Sequence, residues 1–167
     1  MNRLWVHTFG TPIGDIHLAS TSKGLALLTL PGGSQDWFEK QLETHFAGYE
    51  RVSTGVLNTR VEKQVSEYFA GKRKKFDLPL DLHAAPFHVK VLGAVAKIPY
   101  GETRTYGEIA RAVRNPGASR AVGTANARNM IPIVIPCHRV VASHGLGGYG
   151  GGLEMKKYLL RLESTAS

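Results

Sequence analysis

Cys137-His138-Arg139 is the stretch of this chain with the most chemistry in the fewest residues. A thiol reacts as its thiolate, and a neighbouring imidazole or guanidinium favours that anion. The stretch follows Ile131-Pro132-Ile133-Val134-Ile135-Pro136, an apolar run bounded by prolines. That run predicts a buried strand or extended segment that delivers the thiol to a fixed place. An isolated cysteine is most often a small core side chain, and it is the basic neighbours that favour a nucleophile here. In an extended segment consecutive side chains point to opposite faces, so Cys137 and His138 would communicate only through a water or a sharp turn at Pro136. A histidine base also needs an orienting acceptor. Glu163, at the end of a closing helix predicted over Leu153–Leu162, is the candidate, because Glu102, Glu108 and Glu154 sit in exposed-looking contexts. Cys137 is the only cysteine in the chain. Its solitude excludes an intramolecular disulfide, a multi-cysteine zinc site and a CxxC redox pair.

Downstream, Gly145-Leu146-Gly147-Gly148-Tyr149-Gly150 matches the GxGxxG pattern of dinucleotide-binding turns. Only 17 residues follow Gly150. They leave no room for a second parallel strand or for a ribose-binding acid about 20 residues on. A loop whose backbone approaches a flat ligand closely, with Tyr149 to stack on it, is the better use of these glycines.

The elements that must position these groups are readable from periodicity. Phe87, Val91, Leu92 and Val95 keep helical spacing from Phe87 to Lys97, and Ile98-Pro99-Tyr100-Gly101 stops that helix. A short helix from Thr105 or Tyr106 to Val113 and another from Ala118 to Ala127 flank Arg114-Asn115-Pro116-Gly117, as in a helix-turn-helix. The second helix is made of small side chains with Arg120 near its start, which suits close approach to a nucleic-acid backbone or tight packing on another helix. In the first half, Leu4–Phe9, Asp15–Ser20 and Leu25–Leu30 read as a small antiparallel meander between glycine-containing turns. A helix capped by Ser34 or Asp36 carries Phe38, Leu42 and Phe46 on one face until Gly48, and a second runs from Thr59 to Ala70 with Gly71 at its end. Lys72-Arg73-Lys74-Lys75 after it reads as a solvated helix end.

The 167 residues are 43% hydrophobic, enough to bury a core, and carry a formal charge of +8. Residues 1–84 hold 10 basic and 9 acidic side chains, and residues 85–167 hold 11 and 4. The positive charge therefore belongs to the half that holds Cys137, and a polyanionic partner is the first expectation. No apolar run approaches a membrane span and the start lacks a signal-peptide pattern, so a soluble, cytoplasmic protein is expected.

Ile135-Pro136-Cys137-His138-Arg139-Val140, preceded by Tyr106, by Asn115-Pro116-Gly117-Ala118-Ser119-Arg120-Ala121-Val122-Gly123 and by Asn129, and followed by Gly150-Gly151-Gly152-Leu153 and Lys156, closely resembles the O6-alkylguanine-DNA alkyltransferases. The likeness covers residues 85–165 nearly without gaps. The first half resembles the family only in length and element order. The resemblance implies an α+β chain: a small ribonuclease-H-like N-terminal α/β domain, residues 1–84, then a mainly helical DNA-binding and alkyl-acceptor domain, residues 85–167, with a helix-turn-helix and a short active-site strand or loop.

It also implies a direct, irreversible transfer of the alkyl group from O6-alkylguanine in double-stranded DNA to Cys137, once per molecule, without cofactor or metal. O4-methylthymine is a secondary substrate to consider. His138 would act through a water as the base, Glu163 would orient it, and Asn129 would hold the turn before the acceptor. The lesion must leave the duplex to be reached. Arg120 would take its place in the stack from the minor groove, and Tyr106 would crowd the adjacent phosphate and donate to the guanine ring. Asn115, Ala118, Ser119, Gly123 and Ser143 would line the DNA. Val140, Tyr149, Gly150 and Tyr106 would form the base pocket, with the carbonyls of Cys137 and Val140 accepting from the base. The lone cysteine excludes the zinc site of some relatives and the phosphotriester activity of others. Retention of Cys137 separates the chain from a non-catalytic branch that has tryptophan there. A monomer is implied, with or without cooperation along DNA. The other readings are a helix-turn-helix module without chemistry, which leaves Cys137 and Glu163 unused, and a cysteine hydrolase, which needs an oxyanion site.

Overall fold

The computed structural model describes residues 2–53 and 55–165. The chain divides between His83 and Ala84 into two compact units.

The first unit is a four-stranded sheet with two helices. Strands β1 (Arg3–Thr11), β2 (Gly14–Thr21) and β3 (Gly24–Leu28) form the expected antiparallel meander. A short fourth strand, β4 (Glu50–Val52), pairs parallel to β1 and gives the order β3-β2-β1-β4. Three residues with charged Glu50 and Arg51 carry too little alternation to be seen as a strand in sequence. Helix α1 (Gln35–His45) starts where Ser34 accepts from the Trp37 amide. Its Phe38 packs on His17 of β2, ring centroids 5.5 Å apart. Helix α2 (Val56–Phe69) begins three residues before the expected Thr59 and ends at Ala70, with Gly71 beyond at φ +72°. Its buried Asn58 accepts from Ser20, the neighbour-but-two of Leu18 and Ile16 on the same strand face. Both faces of β2 are thus covered, which is why β2 and β3 are buried along nearly their whole length. The far edge of β3 is closed by the returning chain, through Leu25 N to Pro79 O and Asp81 N to Leu25 O, each 2.8 Å.

The second unit holds everything that positions Cys137. Helix α3 (Pro86–Val95) opens on proline at its first turn and buries Val91, Leu92 and Val95. Strand β5 (Arg104–Thr105) runs directly into α4 (Tyr106–Ala112), where Thr105 and Glu108 form a reciprocal capping box. The turn to α5 (Ser119–Ala127) places Arg114 at φ +61° and is tied by Asn115 N to Ala110 O, 2.9 Å. Helices α3, α4 and α5 pack against one another, the helix-turn-helix being α4 and α5. Val140–Val141 forms β6, parallel to β5, and α6 (Leu153–Thr165) closes the unit with Lys156, Leu159 and Glu163 buried.

The apolar run before Cys137 is not the expected strand. Residues 131–135 form a buried tight turn, with Ile135 N bonding Ile131 O at 2.9 Å and Ile133 at φ +74°. A β-branched residue in that region costs about 1–3 kcal/mol, and full burial of Ile131, Ile133 and Ile135 offsets it. Apolar content could not reveal the turn, because a buried turn and a buried strand present the same side chains to the core.

Candidate active site

Pro136, at φ −79° and ψ 66°, turns the chain into a one-turn 3-10 helix, Cys137–Arg139. The chain therefore turns sharply at Pro136 and is not extended there. Adjacent side chains no longer point to opposite faces, and all three residues of the turn are buried. The turn is pinned from behind by two asparagines. Asn126 of α5 donates to the Cys137 carbonyl at 3.1 Å. Asn129 donates to Ile135 O and accepts from the Ile131 amide, both at 2.9 Å, bracketing the strained turn.

Glu163 is 1% exposed and is the hub of the polar network. Its Oε2 meets His138 Nε2 at 2.6 Å. Arg139 donates to it twice, Nε to Oε1 at 2.8 Å and Nη2 to Oε2 at 3.0 Å, while Nη1 reaches Ile98 O at 2.6 Å. The Gly101 amide adds a fourth contact at 3.3 Å. The carboxylate is charge-balanced by Arg139, so the imidazole need not be protonated. Burial holds His138 below the ordinary histidine range; Glu163 pulls it upward, while Arg139 and Lys156 push it down. A carboxylate only accepts, so Nε2 carries the ring proton and Nδ1 presents a lone pair. That Nδ1 is buried with no hydrogen-bond partner among the described residues.

Burial likewise pushes the Cys137 thiol up, against hydrogen bonds from Asn129 and Tyr149 and the charge of Lys156. The resting pair is thus a neutral thiol beside a neutral imidazole, able to react only once a proton is moved. Lys156 is wholly buried, and burial lowers its affinity for a proton. Its amine donates to Val140 O at 2.7 Å, to Gly148 O at 3.1 Å and to Leu146 O, and lies 6.0 Å from the centre of the Tyr149 ring. It therefore clamps the glycine loop to the strand that follows Cys137.

The loop in turn lies against the helix-turn-helix. A Cβ at Gly147 would stand 2.8 Å from Tyr106 Oη, and Tyr106 also faces Gly123 of α5. A Cβ at Gly150 would be 4.0 Å from Ala127 O. The structure thus brings Cys137, His138, Glu163, Asn129, Val140, Tyr149, Gly150 and Tyr106 into one region. Arg120, Asn115 and Ser143 are exposed, with Ala118, Ser119 and Gly123 half-buried on or just before α5. The carbonyls expected to receive a base are each already engaged, Cys137 O by Asn126 and Val140 O by Lys156. Cys137 O also accepts from the Val140 amide, so both of its lone pairs are taken and it is not free to receive a base in this arrangement.

Sequence reasoning missed Asn126 and the bond between Arg139 and Glu163, and named Lys156 without giving it a role. One signal was available: Lys156, Leu159 and Glu163 share a helical face, so two charged residues lie at core-facing positions.

Comparison with known proteins follows this geometry. Residues 86–165 match the family model of the 6-O-methylguanine DNA methyltransferase DNA binding domain, and residues 4–82 match that of its ribonuclease-like domain. A methylated-DNA–protein-cysteine methyltransferase of Mycolicibacterium paratuberculosis is 55% identical over 96% of this chain and 92% of its own length. The crystal structure of the Mycobacterium tuberculosis O6-methylguanine methyltransferase superposes with a TM-score of 0.83 at 38% identity, covering 98% of this chain and 94% of that one. A crystal structure of the M. tuberculosis protein in complex with DNA gives 0.82 at 38% identity, covering 97% and 94%. The chain belongs to the methylated-DNA–protein-cysteine methyltransferase family.

Proposed function

We propose that this protein repairs alkylated double-stranded DNA by taking the O6-alkyl group of guanine onto Cys137, once per molecule. The observation that supports the reading is the buried turn Cys137–Arg139, whose His138 and Arg139 both bind Glu163 and whose thiol hydrogen-bonds Asn129 and Tyr149 near Lys156. His138 Nδ1 takes the thiol proton through a water while Nε2 stays bonded to Glu163. The thiolate attacks the alkyl carbon in line; the S–C bond forms, the C–O6 bond breaks, and its electron pair and a proton leave with guanine. The thioether has no ready reversal, so stoichiometry follows from the cysteine count.

The base reaches the thiol by leaving the duplex. Arg120, exposed on α5, fills the gap it leaves. Tyr106, held between Gly123 and Gly147, crowds the adjacent phosphate and donates to the ring. Asn115, Ala118, Ser119 and Ser143 contact the backbone, and the charge of residues 85–167 favours that surface on DNA. Among the described residues no helix is long and apolar enough to cross a membrane. A thiol that must stay reduced until used suits the cytoplasm.

The test is incubation with duplex DNA containing O6-methylguanine, followed by intact-mass analysis. One methyl group is expected on Cys137, in proportion to protein, and Cys137→Ala should bind DNA without transfer. Guanine restored with the protein mass unchanged, or more lesions repaired than molecules present, would sink the assignment.

A further inference from the structure

A groove between α3 and α4 lies outside the active-site network, the glycine loop and α5. Lys90, Gly93 and Ala94 of α3 line one wall, and Lys97 lines it just past the end of the helix, so two long cations bracket two minimal side chains. From the opposite wall Arg104 and Arg111 add two more cations. Ile98, Ile109 and Val113 lie at the bottom, Ala112 is exposed at the edge, and the groove encloses about 700 Å³. The acidic groups nearby are engaged: Glu108 in the capping box with Thr105, and Glu102 with Arg104 at 3.1 Å.

Gly93 is the informative residue. A glycine inside a helix is destabilising relative to alanine. Nothing lies within 4 Å of where its Cβ would be, so packing within this chain does not require it. Its absence of a side chain keeps the middle of the groove open for another backbone to approach. Val89, at the lip, is 38% exposed.

We propose that this groove is a docking site for an acidic amphipathic helix of a partner protein. The aliphatic floor receives the apolar face of such a helix, and the four rim cations meet carboxylates on its flanks. Single-stranded nucleic acid would need aromatic platforms, and the groove is lined by none. A duplex would gain nothing from a recessed apolar floor. From Val89 to Lys97 the wall is about 12 Å long, which fits two to three turns of helix.

The probe is a fluorescently labelled peptide of about 14 residues, with leucines on one helical face and glutamates flanking them. A control has the same composition with the leucines dispersed. Anisotropy should show the helical peptide binding at least about 10-fold more tightly than the control, and more weakly as salt rises. Lys90→Glu with Lys97→Glu should weaken it at least about 10-fold, and Gly93→Gln should do the same by filling the groove. All variants should keep the wild-type rate of alkyl transfer, which also reports that they fold; the two exposed lysine changes carry the test if Gly93→Gln does not. Equal binding of the two peptides overturns the proposal, as does indifference to the lysine reversals. Displacement of the peptide by lesion-free duplex, with the lysine reversals weakening duplex binding, would instead assign the groove to DNA and overturn it.

Discussion

Replacing Glu163 by Gln separates what the buried network does for stability from what it does for reaction. The carboxylate accepts two bonds from Arg139 and one from His138, all three residues being at most 5% exposed. Glu163→Gln removes the only carboxylate among the described residues that hydrogen-bonds Arg139, leaving a buried guanidinium whose other contacts are Ile98 O and the face of Tyr100. Breaking one side of a buried ion pair costs about 3–5 kcal/mol. Most of that penalty is the stranded charge, so Glu163→Gln combined with Arg139→Met should regain about 1–3 kcal/mol relative to the single change. The alkyl-transfer rate should not recover with it. A glutamine can donate to Nε2 as well as accept, so it no longer dictates which ring nitrogen carries the proton. Urea unfolding reports stability, and single-turnover transfer from a methylated duplex, followed by intact mass, reports the rate. Expected are a low urea midpoint for the single variant, a partly restored midpoint for the double, and a rate at least about 100-fold down in both. A double variant that recovers rate together with stability would refute the orienting role of Glu163 and leave it a purely structural residue.

Three further expectations follow from the same geometry. Lys156→Met strands three carbonyls, two of them on a loop that water can reach, and should cost about 2–4 kcal/mol in urea unfolding while slowing transfer; a loss under about 0.5 kcal/mol would show that the amine does not clamp the loop. Gly147→Ala puts a Cβ at φ +73°, 2.8 Å from Tyr106 Oη and 3.2 Å from the Ala142 amide, and should lower the melting temperature and duplex repair together; wild-type values for both would contradict the placement of the loop against Tyr106. The pH–rate profile should keep its base below the ordinary histidine value of about 6.5 and continue rising past the ordinary thiol value of about 8.5, because burial lowers His138 and raises Cys137. In stability, the depressed His138 contributes above about pH 6.5 and that contribution is lost as pH falls toward its folded value, since the unfolded chain takes up the proton first. An acid limb at or above the ordinary histidine value would count against a buried neutral imidazole.

The order of elements, the meander, the helix-turn-helix and the chemistry-bearing residues were legible because each is a local property. Helical spacing marks α1, α3 and α6, turn chemistry marks the hairpins, and a lone cysteine followed by His138 and Arg139 needs no fold to be noticed. The short strand β4 and the start of α2 were not, since both depend on what the sheet offers rather than on their own residues. Cys137, His138 and Glu163 could be named from the chain alone as thiol, base and acceptor. Tertiary structure decided their surroundings: a buried turn at Ile133 in place of a strand, a 3-10 turn that buries Cys137, His138 and Arg139 together, and Arg139 rather than a second acid completing the Glu163 network. It also showed Lys156, named from the sequence only as part of the motif, to be the clamp of the glycine loop. The physical reason is common to these cases. Periodicity records which side chains are buried, but the hydrogen bonds that satisfy a buried charge come from backbone carbonyls and residues far along the chain, and only the folded arrangement brings them within reach.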